Sequence, residues 1–229
     1  MNLGDMKTEL SLIVQDSKLQ PLLTGWINNA ILEVATDLEL ASMKLVDPVE
    51  IGVDTSKWLW KLPDSFHKKL FRAKWQDSDG QWHRLHVHDH IDRLSGRDHT
   101  LTADAVTEVA VAAQGNDNYL GIYPLATATM GLWYYRKPAL LVKDGDSPDC
   151  IPPSFEPRVI YPRIIVRNYE TIVDQVVDFP IVNGPLQRWE GKQAKGDLAL
   201  KIFFAKNYNK PRRHGGRDPI STGWGYGYR

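Results

Sequence analysis

The chain has 229 residues, 28 basic and 28 acidic side chains, 42% hydrophobic residues and one cysteine, Cys150. This length allows one elaborated domain or two small ones, each with a real core. The lone cysteine excludes an internal disulfide framework, and the zero net charge argues against a general DNA binder.

Met1 to Asp16 carries Asp5 and Glu9 and no long apolar run, so no signal peptide is expected, and no later stretch reaches membrane-spanning length. Met6, Leu10 and Ile13 or Val14 recur at helical spacing, which predicts a helix over Asp5 to Val14 that breaks near Pro21. A stronger helix follows. Thr24 is placed to cap it, and Trp26, Ile27, Ala30, Ile31, Val34, Ala35 and Leu38 form one apolar face. Asn28, Asn29, Glu33 and Asp37 lie opposite, so this helix is expected to pack on one side only.

From about Val53 the period changes to two and β-branched and aromatic residues become frequent. Strands are predicted at Trp58 to Leu62, Leu70 to Gln76, Gln81 to His88, Thr107 to Ala113, Tyr119 to Tyr123 and Thr127 to Tyr135, pairing as neighbouring hairpins. Asp77-Ser78-Asp79-Gly80 and Gly115-Asn116-Asp117-Asn118 have the residues that hairpin turns require. Asp144 to Pro157 holds four prolines and reads as a stiff connector. Apolar spacing from Val159 to Val176 predicts a third helix, with Pro162 at or before its first turn. A fourth runs from Leu186 to Phe203, weakened by Gly191 and Gly196.

The conspicuous chemical cluster is His83, His86, His88 and His90 with Asp89 and Asp92. On one strand, His86, His88 and His90 would share a face and could hold zinc. The same alternation also describes a solvated sheet face over buried Leu85, Val87 and Ile91, which is the reading adopted. No phosphate-binding glycine loop, Gly-x-Ser-x-Gly elbow or His-Glu-x-x-His is present. Cys150 has no cationic sequence neighbour to activate its thiol. The eight tryptophans, Trp58 and Trp60 among them, are read as core or subunit-interface packing in preference to ligand stacking.

The zero net charge hides a division along the chain. In the last 24 residues Lys206, Lys210, Arg212, Arg213, Arg217 and Arg229 face only Asp218, which leaves +5 there and −5 on the other 205. This arm also holds Tyr208, Trp224, Tyr226 and Tyr228 among five glycines, with almost no aliphatic residues, so it cannot fold alone. Three readings stand: an arm that orders in another protein's groove, a nucleic-acid contact, or a solvated terminus.

The order of features resembles the head-to-tail adaptor, or head-completion, proteins of short-tailed double-stranded DNA bacteriophages. The resemblance is carried by a short helix followed by the long helix at Trp26 to Leu40, and by Trp60-Lys61-Leu62-Pro63-Asp64-Ser65-Phe66 at the entry to the β region. It continues through Leu132-Trp133-Tyr134-Tyr135-Arg136-Lys137-Pro138, the connector to Pro153 and the closing helices, covering Met6 to about Phe204. It implies an α+β fold: an antiparallel bundle of about four helices (1–52 and 144–205) with a β-rich insertion (53–143) and an extended C-terminal arm (206–229). It further implies a dodecameric ring in the virion, assembled in the host cytoplasm, that joins the portal protein to a tail protein and extends the DNA channel. No catalysis, cofactor, metal or membrane is expected.

An acidic body suits a conduit, because like charge near the phosphates avoids adhesion of the passing duplex. Lys206, Tyr208, Lys210, Arg212, Arg213, Arg217, Trp224, Tyr226, Tyr228 and Arg229 would then dock on the portal. The alternatives are a nucleic-acid-binding protein that uses this arm and a metal-dependent hydrolase centred on His86 to Asp92.

Overall fold

The computed structural model of the chain describes residues 1–15, 17–115, 117–175 and 184–208. They form an α+β fold in which six α-helices and two four-stranded sheets are described. The helices are α1 (Leu3–Val14), α2 (Gln20–Asp37), α3 (Asp92–Ser95), α4 (Glu156–Arg167), α5 (Tyr169–Gln175) and α6 (Leu186–Tyr208).

A capping box at Asn2 and Asp5 starts α1, and Gln15 in the left-handed region ends it. The expected break near Pro21 and the Thr24 cap are both displaced. A 3-10 turn at Ser17–Leu19 makes the break, and α2 already begins at Gln20 with Pro21 in its first turn, where a proline forfeits no hydrogen bond. The apolar face of α2 is buried as its spacing requires, but the opposite face is not free. Asn28 exchanges two hydrogen bonds with the backbone of Leu141, Glu33 pairs with Arg167, and Asp37 meets Arg163 at 2.8 Å.

Pro162 stands inside α4, beyond its first turn, which corrects the sequence expectation. Its missing N–H leaves the Arg158 carbonyl without the usual i+4 donor. A Cβ on Gly196 of α6 would lie 2.1 Å from that carbonyl oxygen, so the Cα hydrogen there points at it and makes a weak C–H···O contact. The glycine expected to weaken α6 therefore lets the two helices cross closely. Beside this crossing the Arg163 guanidinium is almost wholly buried and bridges Asp37 of α2 and Asp197 of α6.

Eight strands follow α2: β1 (Val49–Val53), β2 (Leu59–Lys61), β3 (Phe66–Gln76), β4 (Trp82–Arg84), β5 (His86–His88), β6 (Glu108–Gln114), β7 (Asp117–Tyr123) and β8 (Ala128–Arg136). One sheet runs β1-β8-β3-β4 and the other β2-β7-β6-β5, and both contribute to one core through residues such as Leu70, Met130, Val109 and Ile122. The hairpin expectation holds for β3–β4 and β6–β7, where Gly80 and Gly115 take the left-handed backbone of the turns. Elsewhere it fails: β8 lies between β1 and β3, β2 pairs with β7, and β5 runs parallel to β6. The strand expected over Gln81 to His88 splits at Leu85 and serves both sheets. Three register shifts between Phe66 and Arg72 break the two-residue period of β3, which is why its first half is absent from the sequence pattern.

The helices share a second core with Tyr135 of β8, with Leu141 beyond it, and with Cys150 and Ile151 of the connector. Among the described residues no helix is long and apolar enough to cross a membrane. Replacing Gly196 with alanine is expected to destabilise the fold by about 1–3 kcal/mol, because the helices must separate. Gly191→Ala, where nothing lies within 4 Å of the added methyl, should stabilise it by about 0.5–1 kcal/mol. Urea denaturation of the two variants checks both signs.

Candidate functional site

Of the ten arm residues singled out, Lys206 and Tyr208 belong to the last turn of α6, with Lys206 exposed. The helix thus runs past the position where the arm is expected to start. Lys210, Arg212, Arg213, Arg217, Trp224, Tyr226, Tyr228 and Arg229 lie outside the described residues.

The end of α6 is fixed by packing. Phe204 is buried in the helical core, and Phe203 meets Phe155 at 5.0 Å between ring centres. Between this end, the end of α2 and β8 lies a cleft of about 390 Å³, lined by Leu38, Leu40, Lys44, Tyr135, Lys201 and Phe204 among others. Its polar wall is built around Glu39, which accepts from Lys69 at 2.8 Å and from the Tyr135 hydroxyl at 3.1 Å. The Lys69 hydrogen bond is the largest influence holding the Glu39 carboxyl below its ordinary range, against desolvation. Desolvation, reinforced by the Glu39 charge, pushes the Tyr135 phenol well up. Lys68 donates to the carbonyls of Thr36 and Leu38 and so closes the C-terminal end of α2 with a cation.

The histidines do not converge. His83 is in β4 of one sheet, His86 and His88 are in β5 of the other, and β5 ends at His88, so His90 does not continue the strand face expected for it. His83 pairs with Asp77 at 2.5 Å and stacks on Trp75. The His83 hydrogen bond is also the main reason the Asp77 carboxyl is held low. His88 meets Glu108 at 2.7 Å, and its ring stands edge-on to His86. Among the described residues no three His, Cys, Asp or Glu side chains gather as a metal site. The Cys150 thiol is buried and pushed up to about 12, chiefly by desolvation, so it is poorly suited to nucleophilic work.

The described tryptophans pack or carry cations. Trp58 and Trp60 rest on the β core, Trp58 stacking on His99 and Trp60 lying 4.3 Å from the Lys57 ammonium. Trp189 is buried under Lys192 at 3.7 Å, and desolvation pulls that ammonium down. Trp133 carries both Arg72 and Lys74. Sequence alone does not single out these two cations with Arg84. The i, i+2 spacing of Arg72 and Lys74 is a signal for one face, but only the register sets Arg84 opposite Lys74.

Among the described residues no catalytic constellation is assembled. A family model described as SU10 adaptor protein matches residues 1–179, which takes in α1 to α5 and both sheets. No curated protein matches the chain.

The Glu39 pair gives a pH prediction. Its folded carboxyl sits below the ordinary value of 4.5, so its contribution is complete above that pH and is lost as the pH falls through the depressed value. Both partners are more than half exposed, which limits the effect to less than about 1 kcal/mol. Glu39→Gln should therefore remove a shallow part of the acid limb of stability below pH 4.5 and leave its slope from there to about pH 8 unchanged, as read by denaturation at stepped pH.

Proposed function

Since the chain belongs to the SU10 adaptor protein family, a family of bacteriophage structural proteins, we propose that it forms the ring that joins the portal to the tail and extends the DNA channel. The observation that carries this reading is the family match over residues 1–179, which spans both cores of the described fold. The virion is then its site of action. The portal and a tail protein are its partners, and twelve copies make the ring.

The division into a helical bundle (1–52 and 144–205) carrying a β insertion (53–143) is supported by two features. Seven of the eight described strands fall within 53–143, with β1 beginning just ahead of it at Val49, and the sheets keep a core of their own. In such a ring the helical layer and the sheets would supply the rigid body, and the charge of −5 outside the arm would keep the duplex from adhering to the channel wall.

The arm is the portal anchor in this reading. It begins where α6 ends, beside the cleft at Lys201 and Phe204, and its aromatic residues would seat in a groove while its cations steer docking. Repeated around a ring, a modest contact becomes a strong attachment. Passing DNA is enclosed without sequence-specific contact.

Mixing the purified chain with empty portal rings and imaging the mixture tests this function. Symmetric added density on the portal is the expected result. Truncation after Tyr208 should leave the far-UV spectrum and cooperative unfolding of the body intact while abolishing attachment. A truncated chain that still decorates the portal would contradict the anchor role, and a full chain that ignores the portal but retards duplex DNA would contradict the adaptor role.

A further inference from the structure

The outer face of the β1-β8-β3-β4 sheet carries a cationic patch that the functions above leave unassigned. Arg72 pairs in register with Trp133, and its guanidinium lies 5.5 Å from the ring centre. Lys74 lies 5.9 Å from the same ring and stands directly opposite Arg84 of β4. A Cβ on Gly131, the other partner of Lys74, would meet the Trp82 ring at 3.2 Å. Register and ring contacts thus place three cations and two tryptophans on one face, turned away from the core that the sheets share.

Like charges directly opposite on neighbouring strands are destabilising, yet Lys74 and Arg84 occupy such a pair. Among the described residues neither they nor Arg72 form an ion pair. Glu50, two strands away, is the carboxylate in register with them, which leaves a net excess of positive charge on the face. Such a face is complementary to an anionic partner.

The far side of the same β layer has the opposite character. There the β2-β7-β6-β5 sheet is covered by α3 and its flanks: a Cβ on Gly121 would lie 2.5 Å from Ile91 Cδ1 and 3.5 Å from Leu94 Cδ1. This covering segment exposes Asp89, Asp92 and Asp98. Of its two arginines, Arg97 is engaged with Glu108 at 3.3 Å, which leaves Arg93 against the three carboxylates. Stacked sheets lie about 10 Å apart, so the cationic and acidic surfaces are on opposite sides of the layer and cannot meet within one chain.

We propose that these two surfaces meet between copies, with the Arg72–Lys74–Arg84 face of one chain docking on the Asp89–Asp98 segment of the next. A two-fold dimer through either surface would press like charge on like charge. Head-to-tail contact pairs opposites, and a heterologous contact of that kind is what closes a ring. The inference rests on the ring reading above and names the surfaces that build it.

Charge reversal in the full-length chain tests it. Lys74→Glu with Arg84→Glu, and separately Asp89→Lys with Asp92→Lys, should each weaken association between copies by about tenfold or more at low salt. A chain carrying all four changes should recover it, because the complementarity is restored with both signs exchanged. Association is read by sedimentation velocity on the chain alone and as copies bound per empty portal ring, with thermal unfolding as the control for folding. If a reversal perturbs folding, Lys74→Gln with Arg84→Gln replaces it, with a partial loss expected.

Association that neither double reversal changes overturns the proposal while leaving the ring reading intact. Absence of copy-to-copy association both alone and on the portal removes the ring reading and the proposal together. Retardation of duplex DNA that Lys74→Glu with Arg84→Glu abolishes, with association unaltered, assigns the face to nucleic acid and also overturns the proposal.

Discussion

Two consecutive tyrosines hold this molecule together. On β8 the side chains of neighbouring residues point to opposite faces, and both Tyr134 and Tyr135 are buried, each in a different core. Tyr134 faces the second sheet, meets the Phe66 ring at a tilt and shares a hydrogen bond with Ser65 at 2.7 Å. Tyr135 enters the helical core and donates to Glu39 just beyond the end of α2. A strand end that places one side chain in each core fixes the helices to the sheets without a linker. Sliding its register by one residue would exchange the two rings between environments and lose both hydrogen bonds.

The same economy appears where α4 and α6 cross. Pro162 removes a helical donor, Gly196 removes a side chain, and the carbonyl exposed by the first is covered by the second. Arg163, next along α4, then ties α2 and α6 to the crossing through two carboxylates. Burying a guanidinium is costly unless its partners are well placed, and here they come from helices before and after it in the chain, so the pairing favours one arrangement of all three.

Membership of a phage adaptor family agrees with what these surfaces can do. The polar groups are spent on positioning: Lys68 on the end of α2, His83 on the Asp77 turn, His88 and Arg97 on Glu108. The histidines are dispersed over two sheets and the segment after β5, and His83 and His88 are each engaged with a carboxylate. Among the described residues Arg72, Lys74 and Arg84 on one outer surface, and Asp89 and Asp92 on the other, stand outside those ion pairs.

The sequence by itself determined the α+β class, the apolar face of α2, the change to strand periodicity, both turn glycines at 80 and 115, and the order of motifs that marks the family. These depend on neighbours within a few residues, where spacing and backbone preference act directly. It also showed the composition of the arm. Only the tertiary structure decided that Pro162 sits within a helix, that Gly196 is a contact, that the histidines separate, that β5 and β6 run parallel, and that Lys74 faces Arg84. Each of these is settled by a residue distant along the chain: a helix that accepts the freed carbonyl, a second sheet that claims half of an apparent strand, or a partner strand whose register sets one cation against another. Local sequence fixes what an element can be, but the groups that satisfy its exposed donors, acceptors and charges arrive from elsewhere in the chain, and only folding brings them together.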